Sequence, residues 1–214
     1  MRMNSRIAIA LLSALTMFSM SSSVAQEKVA RPEQSKKTRV REDVLIVYVS
    51  RTENTSALAR MIRDATGGNL VELELETPYP EDYDRIVLQV DRENKRGYLP
   101  PLKTRVKDFG RYSVVFLGFP TWDMQMPPPM KSFLSTHDLS GKKVAPFNTN
   151  AGYGVGKGFD QVKALCPNSR VMPGFSTRGG YEKEGVMLTI QKERANEVRV
   201  EVERWLKSIL EDAP

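Results

Sequence analysis

The chain of 214 residues carries a single cysteine, Cys166, and a single histidine, His137. One cysteine excludes an internal disulfide, so the fold must be stabilised by core packing. Cys166 follows the apolar positions Val162, Ala164 and Leu165 and reads as buried packing rather than a reactive thiol. A lone histidine and a lone cysteine, far apart in sequence, do not make a zinc set. His137 also lacks any acidic or nucleophilic partner motif, so it reads as a helix-end or surface residue. No catalytic residue and no metal ligand is expected. A basic stripe interleaved with aromatics is missing as well, so nucleic acid is not an expected partner despite the formal charge of +6.

Long hydrophobic runs are equally scarce. The longest, Ile7 to Met20, is short for a membrane span. It follows Arg2 and Arg6 and precedes Ser23-Val24-Ala25, the layout of a secretory signal cleaved after Ala25. No cysteine lies at that site to carry a lipid, and the two arginines are not adjacent, as a twin-arginine signal requires. Residues 1–25 are therefore expected to be removed on export, with no membrane span remaining and a periplasmic destination. Gln26 to Asp43, dense in Lys, Arg, Glu and Gln, reads as a flexible tether ahead of a domain spanning 44–214.

That domain is organised around Val44 to Thr55, VLIVYVSRTENT. An unbroken apolar strand is followed by a polar loop, and Leu58, Met61, Ile62 and Ala65 then recur at helical spacing. A strand apolar on both faces belongs inside a parallel sheet. A loop at its carboxyl end that opens a helix suits an anion, because the first N–H groups of a helix are unpaired and its N-terminus favours negative charge. Lysine and glycine are both missing from residues 50–55, which excludes the loops of nucleotide triphosphatases and of dinucleotide-binding domains. A monophosphate held mainly by hydrogen bonds fits the composition. Simple helix capping is the competing reading.

Further strands are expected at Leu70–Leu75, whose strict alternation suits a sheet edge, at Ser113–Leu117, at Lys143–Phe147 and at Arg170–Met172. Pro146 conflicts with an interior strand because it has no N–H. Helices are expected over Glu81–Lys95, in a short piece ending at Lys107, after prolines 127 to 129, over Gly158–Leu165, and along the stripe Ala195, Val198, Val202, Trp205, Leu206, Ile209. Trp205 on that stripe is a core residue. Alternating strands and helices predict a doubly wound α/β domain, with ligands at the carboxyl ends of the strands where their order reverses. Three loops there stand out: 50–55, 120–124 and 149–154. The last two carry Trp122 and Tyr153, which suit a flat heterocycle.

Four segments, in order, resemble the flavodoxin family, in its exported or stand-alone branch. They are Tyr48 to Thr55; Leu117-Gly118-Phe119-Pro120-Thr121-Trp122; Met126 to Leu134 with Leu139-Ser140-Gly141-Lys142; and Ala145-Pro146-Phe147 with the glycine-rich loop after it. The resemblance covers about Val44 to Gly180 and accommodates Pro146. It implies strand order 2-1-3-4-5 and one non-covalently held FMN. Matched to the phosphate loop are Ser50, Arg51, Thr52, Asn54, Thr55 and Ser56. Matched to the two loops beside the isoalloxazine ring are Pro120, Thr121 and Trp122, then Thr149, Asn150, Ala151, Gly152, Tyr153 and Gly154. Arg178 and Gly180 match the end of this branch without an assigned role. Glu53 departs from the family's glycine, Asp123 from a second tryptophan, and Ala151-Gly152-Tyr153 from the usual third loop. The implied role is an electron carrier or a small FMN-dependent reductase, working with a redox partner protein or a small acceptor. The alternative is a fold that has lost flavin and serves as a binding module; Glu53 and the altered third loop favour it.

Overall fold

The computed structural model describes residues 43–210. The expected signal and nearly all of the tether lie outside the described residues. Among those described, no helix is long and apolar enough to cross a membrane.

The central strands form where the chain is continuously apolar. β1 (Val44–Tyr48) and β3 (Val114–Pro120) are buried along almost their whole length. β1 pairs in parallel with β2 (Asn69–Glu72) on one side and with β3 on the other. β3 pairs with β4 (Lys143–Asn150), and β4 with β5 (Arg170–Val171) and β6 (Phe175–Arg178). The order is β2-β1-β3-β4-β5, as expected, with β6 continuing the outer position beside β4. Alternate side chains separate two cores. Val44, Ile46, Tyr48, Phe116 and Phe147 pack under α1 (Asn54–Thr66) and α5 (Lys192–Leu210). Leu45, Val47, Leu117 and Phe119 meet α3 (Pro128–Thr136) and α4 (Gly158–Leu165) on the other face. Trp205 and Cys166 both lie in these cores, and burial pushes the Cys166 thiol up to about 11.

Pro146 fits because of a break in the neighbouring strand. Met172 N–H donates to Val144 O, and Lys143 N–H to Ser113 O. Odd residues of β4 therefore face β3 and even ones face β5 and β6. The missing N–H of Pro146 points at residues 172–174, where β5 has ended and β6 has not begun.

Several expectations need correction. Residues 100–107 are not helical; Leu102 instead bridges Leu75, beyond the end of a shorter β2. β4 runs on through Asn150, so Thr149 and Asn150 end a strand rather than begin a loop. β6 was not expected, because Phe175-Ser176-Thr177-Arg178 is too polar to read as a strand. The helix α2 (Tyr83–Arg96) is present but buries only Ile86, Val90 and Glu93.

Candidate functional site

The carboxyl ends of β1, β3 and β4 open into a cleft of about 600 Å³. Of the residues expected from sequence, Arg51, Thr52, Thr55, Pro120, Thr121, Trp122, Thr149, Asn150, Ala151, Tyr153 and Gly154 line it. Ser50, Asn54, Ser56 and Gly152 do not.

In the first loop the backbone carries the potential. The N–H groups of residues 51–55 make no hydrogen bond to any protein atom among the described residues. They lie at the start of α1, where the helix dipole adds to their attraction for an anion. Side chains hold this array in place. Asn54 is buried; its Nδ2 donates to Thr52 O and to Met187 O, and its Oδ1 accepts from the N–H groups of Thr189 and Ile190. Ser50 Oγ accepts from Ser56 N–H at 3.3 Å, and Ser56 Oγ turns back towards Tyr48 Oη. Asn54 and Ser56 thus build the loop from behind instead of facing the cleft. Thr55 Oγ1 and Thr149 Oγ1 are 2.8 Å apart, tying β4 to the loop. One hydroxyl proton lies between them and the second stays available to a ligand.

Arg51 also departs from expectation. Its guanidinium lies against Glu182 at 2.7 Å, donates to Pro80 O and Glu81 O, and is largely buried. The side chain joins three segments and is committed to protein acceptors. Glu53 has φ of 61°, the left-handed region where glycine is at ease. The glycine that the resemblance leads one to expect here would suit that backbone. The Glu53 carboxylate is exposed and pairs with Arg60 at 3.3 Å, away from the N–H array.

The second and third loops are cross-braced. Asp123 and Met124 both have positive φ, making a tight turn closed by Trp122 and Gln125, which exchange N–H to carbonyl bonds at 3.2 and 3.0 Å. Asp123 accepts from Asn94 and Gln125. Trp122 stands edge-on to Tyr79, whose hydroxyl donates to buried Glu93 at 2.5 Å. Burial, and then the bond to Glu93, raise the Tyr79 pKa. Thr121 Oγ1 donates to Gly154 O, while Asn150 Oδ1 accepts from the N–H groups of Gly152 and Gly154. Tyr153 is mostly exposed and edge-on to Tyr181.

Sequence reasoning left two walls unassigned. The strap 179–187 contributes Tyr181, Glu182 and Lys183. A Cβ at Gly180 would lie 1.8 Å from Met187 O, which is why the strap folds tightly only with glycine there. The other wall is α2, whose Tyr83, Ile86, Val87 and Leu88 face the cleft. The glycines signalled the strap; nothing in the polar composition of α2 marked its wall. Among the described residues no acidic, histidine or cysteine cluster could hold a metal.

A family profile described as flavodoxin matches residues 43–192. Among solved structures, a candidate flavoprotein from Bacteroides eggerthii is similar with a TM-score of 0.63 at 24% identity, over 79% of this chain and 99% of that one. A second, from Bacteroides uniformis, gives 0.58 at 20% over 78% and 98%. A flavoprotein from Lactobacillus acidophilus, solved in complex with FMN, gives 0.57 at 21% over 64% and 93%. At these identities the likeness speaks for the fold. No curated protein matches the chain.

Proposed function

The chain belongs to the flavodoxin family, and from that premise we propose that it binds FMN without a covalent bond and serves outside the cytoplasm as an electron carrier or small FMN-dependent reductase. The observation that carries this reading is the run of N–H groups at residues 51–55 with no acceptor among the described residues, set at the edge of a cleft of about 600 Å³. That volume lies within the range of small-molecule sites. An anion seated there would meet several N–H donors that no protein acceptor competes for.

The residues present fit the group. The N–H array, with the spare hydroxyl proton of the Thr55 and Thr149 pair, would hold the phosphate by hydrogen bonds rather than by a cation. Trp122 and Tyr153, on braced loops, would flank the ring. Bound flavin supplies the electron-transfer chemistry, and the protein tunes it by charge and hydrogen bonds. Asp123 is the acidic residue nearest the Trp122 turn and would disfavour added negative charge there. Glu53 no longer argues for a fold that has lost flavin, because its carboxylate faces solvent. Export rests on the pattern of residues 1–25. The partner would be a redox protein or a small acceptor.

The test is reconstitution. Purified protein should be yellow, or become yellow with FMN, and retain the colour through gel filtration. Colourless protein that takes up no FMN overturns the reading.

A further inference from the structure

The turn that carries Trp122 is strained, and groups behind the cleft hold it in place. Asp123 and Met124 occupy the left-handed region in succession, and neither is glycine. Gln161 Oε1, on α4, accepts from Met126 N–H at 2.8 Å, and Lys157 N–H donates to Met124 O at 2.9 Å. The remaining side-chain bonds form a closed ring that starts from Lys131, on α3. Its ammonium donates at 2.8 Å both to Asn94 Oδ1, on α2, and to Gln125 Oε1, in the turn. The same two amides donate through their nitrogens to one atom, Asp123 Oδ2, each at 3.0 Å. Trp122 and Asp123 line the cleft; Lys131, Asn94 and Gln125 do not.

This ring of four side chains has a direction. A lysine ammonium offers donors only, and a carboxylate offers acceptors only. An amide between them satisfies both only with its oxygen towards Lys131 and its nitrogen towards Asp123. Without the ammonium, either amide could turn over and set its oxygen against the carboxylate. Lys131 is half-buried; burial lowers its pKa, and the Asp123 charge opposes that shift. Lys95 also feels Asp123, but it is exposed and paired with Asp91 at 2.8 Å. Lys131 is therefore the cation that the fold commits to this turn.

We propose that Lys131, outside the cleft, is a positioning residue that holds the Trp122 turn in shape and, by its charge, offsets Asp123 in setting the redox potential of the flavin. This deepens the flavin reading and rests on it. Reduction adds negative charge to the site, so a cation held behind the turn favours the reduced form and an anion disfavours it.

The test compares Lys131→Met and Lys131→Arg in the FMN-loaded protein, with circular dichroism as the check of folding. Midpoint potentials are read by titration with redox dyes, and amide hydrogen exchange at residues 122–125 by NMR. Lys131→Met should favour oxidised flavin by about tenfold, a two-electron potential lower by about 30 mV. Exchange at Trp122 and Gln125, whose mutual bonds close the turn, should quicken by about tenfold. Lys131→Arg, still a donor-only cation, should keep both quantities within about twofold of wild type. Lys131→Gln, neutral but able to hydrogen-bond, replaces Lys131→Met if that variant does not fold, with the same shift expected. Asp123→Asn should raise the potential, and a fall would contradict the offset. A potential unmoved by loss of the lysine charge overturns the proposal, whatever exchange does. So does a shifted potential with unchanged exchange, because the charge would then act without the turn. Protein that takes up no FMN refutes the flavin reading separately. Lys131 is then judged by exchange alone in the protein as isolated, where unchanged rates in Lys131→Met overturn its positioning role.

Discussion

In residues 51–55 no backbone N–H has a protein acceptor among the described residues, whereas in residues 149–154 those of Gly152 and Gly154 both end on Asn150 Oδ1. Both loops follow interior strands of one sheet and open on one cleft. In the first, Asn54 turns inwards to hold an open set of donors; in the second, Asn150 closes two donors of the loop and so fixes its shape. Open donors recognise charge, while a closed, braced loop recognises a surface. The first loop should therefore govern the phosphate, and the third the ring.

The most damaging way to break this contrast is Asn54→Ala. The change removes the bonds to Met187 O, Thr189 N–H and Ile190 N–H from a buried position, so about 3 kcal/mol of stability should be lost in urea denaturation. A loss under about 1 kcal/mol would mean that the array is not held by this residue. Next is Thr55→Ala, which should weaken FMN by about tenfold to a hundredfold and riboflavin hardly at all, measured by fluorescence titration of the apoprotein.

Asn150→Ala sharpens the comparison from the other side. Freeing the Gly152 and Gly154 N–H groups should loosen the third loop and weaken FMN and riboflavin equally, by about five- to tenfold. An effect confined to FMN would contradict the division of labour. The smallest effect is expected for Glu53→Gly. Relief of the left-handed strain is set against extra freedom in the unfolded chain, giving a gain of about 0.5–1 kcal/mol in thermal or urea unfolding. FMN affinity should stay unchanged, since the carboxylate faces Arg60 and solvent.

The strand, loop and helix over 44–66 were legible because apolar periodicity records burial directly, and the strand order followed from the family resemblance. What the residues could not show was direction. Asn54 and Ser56 were read as ligands because amides and hydroxyls in a phosphate loop have the right chemistry, but their bonds run into the fold. Arg51 matches the phosphate loop in sequence, but Glu182, far along the chain, takes up its guanidinium. β6 and the strap 179–187 carry no periodicity, since a short edge strand and a tight loop are specified by close approach at glycine rather than by hydrophobic pattern. The α2 wall was hidden for a related reason. Val87 and Leu88 look like ordinary members of a polar helix, and only the placement of that helix beside the cleft puts them in its lining.

The claim on which the account depends is that the open donors at residues 51–55 bind a phosphate. Parallel titration of wild-type apoprotein with FMN and with riboflavin tests it most directly. FMN should bind at least about a hundredfold more tightly, corresponding to roughly 2.7 kcal/mol, and inorganic phosphate should compete with FMN but not with riboflavin. Equal affinities for the two ligands, with no competition by phosphate, would show that the loop only opens its helix.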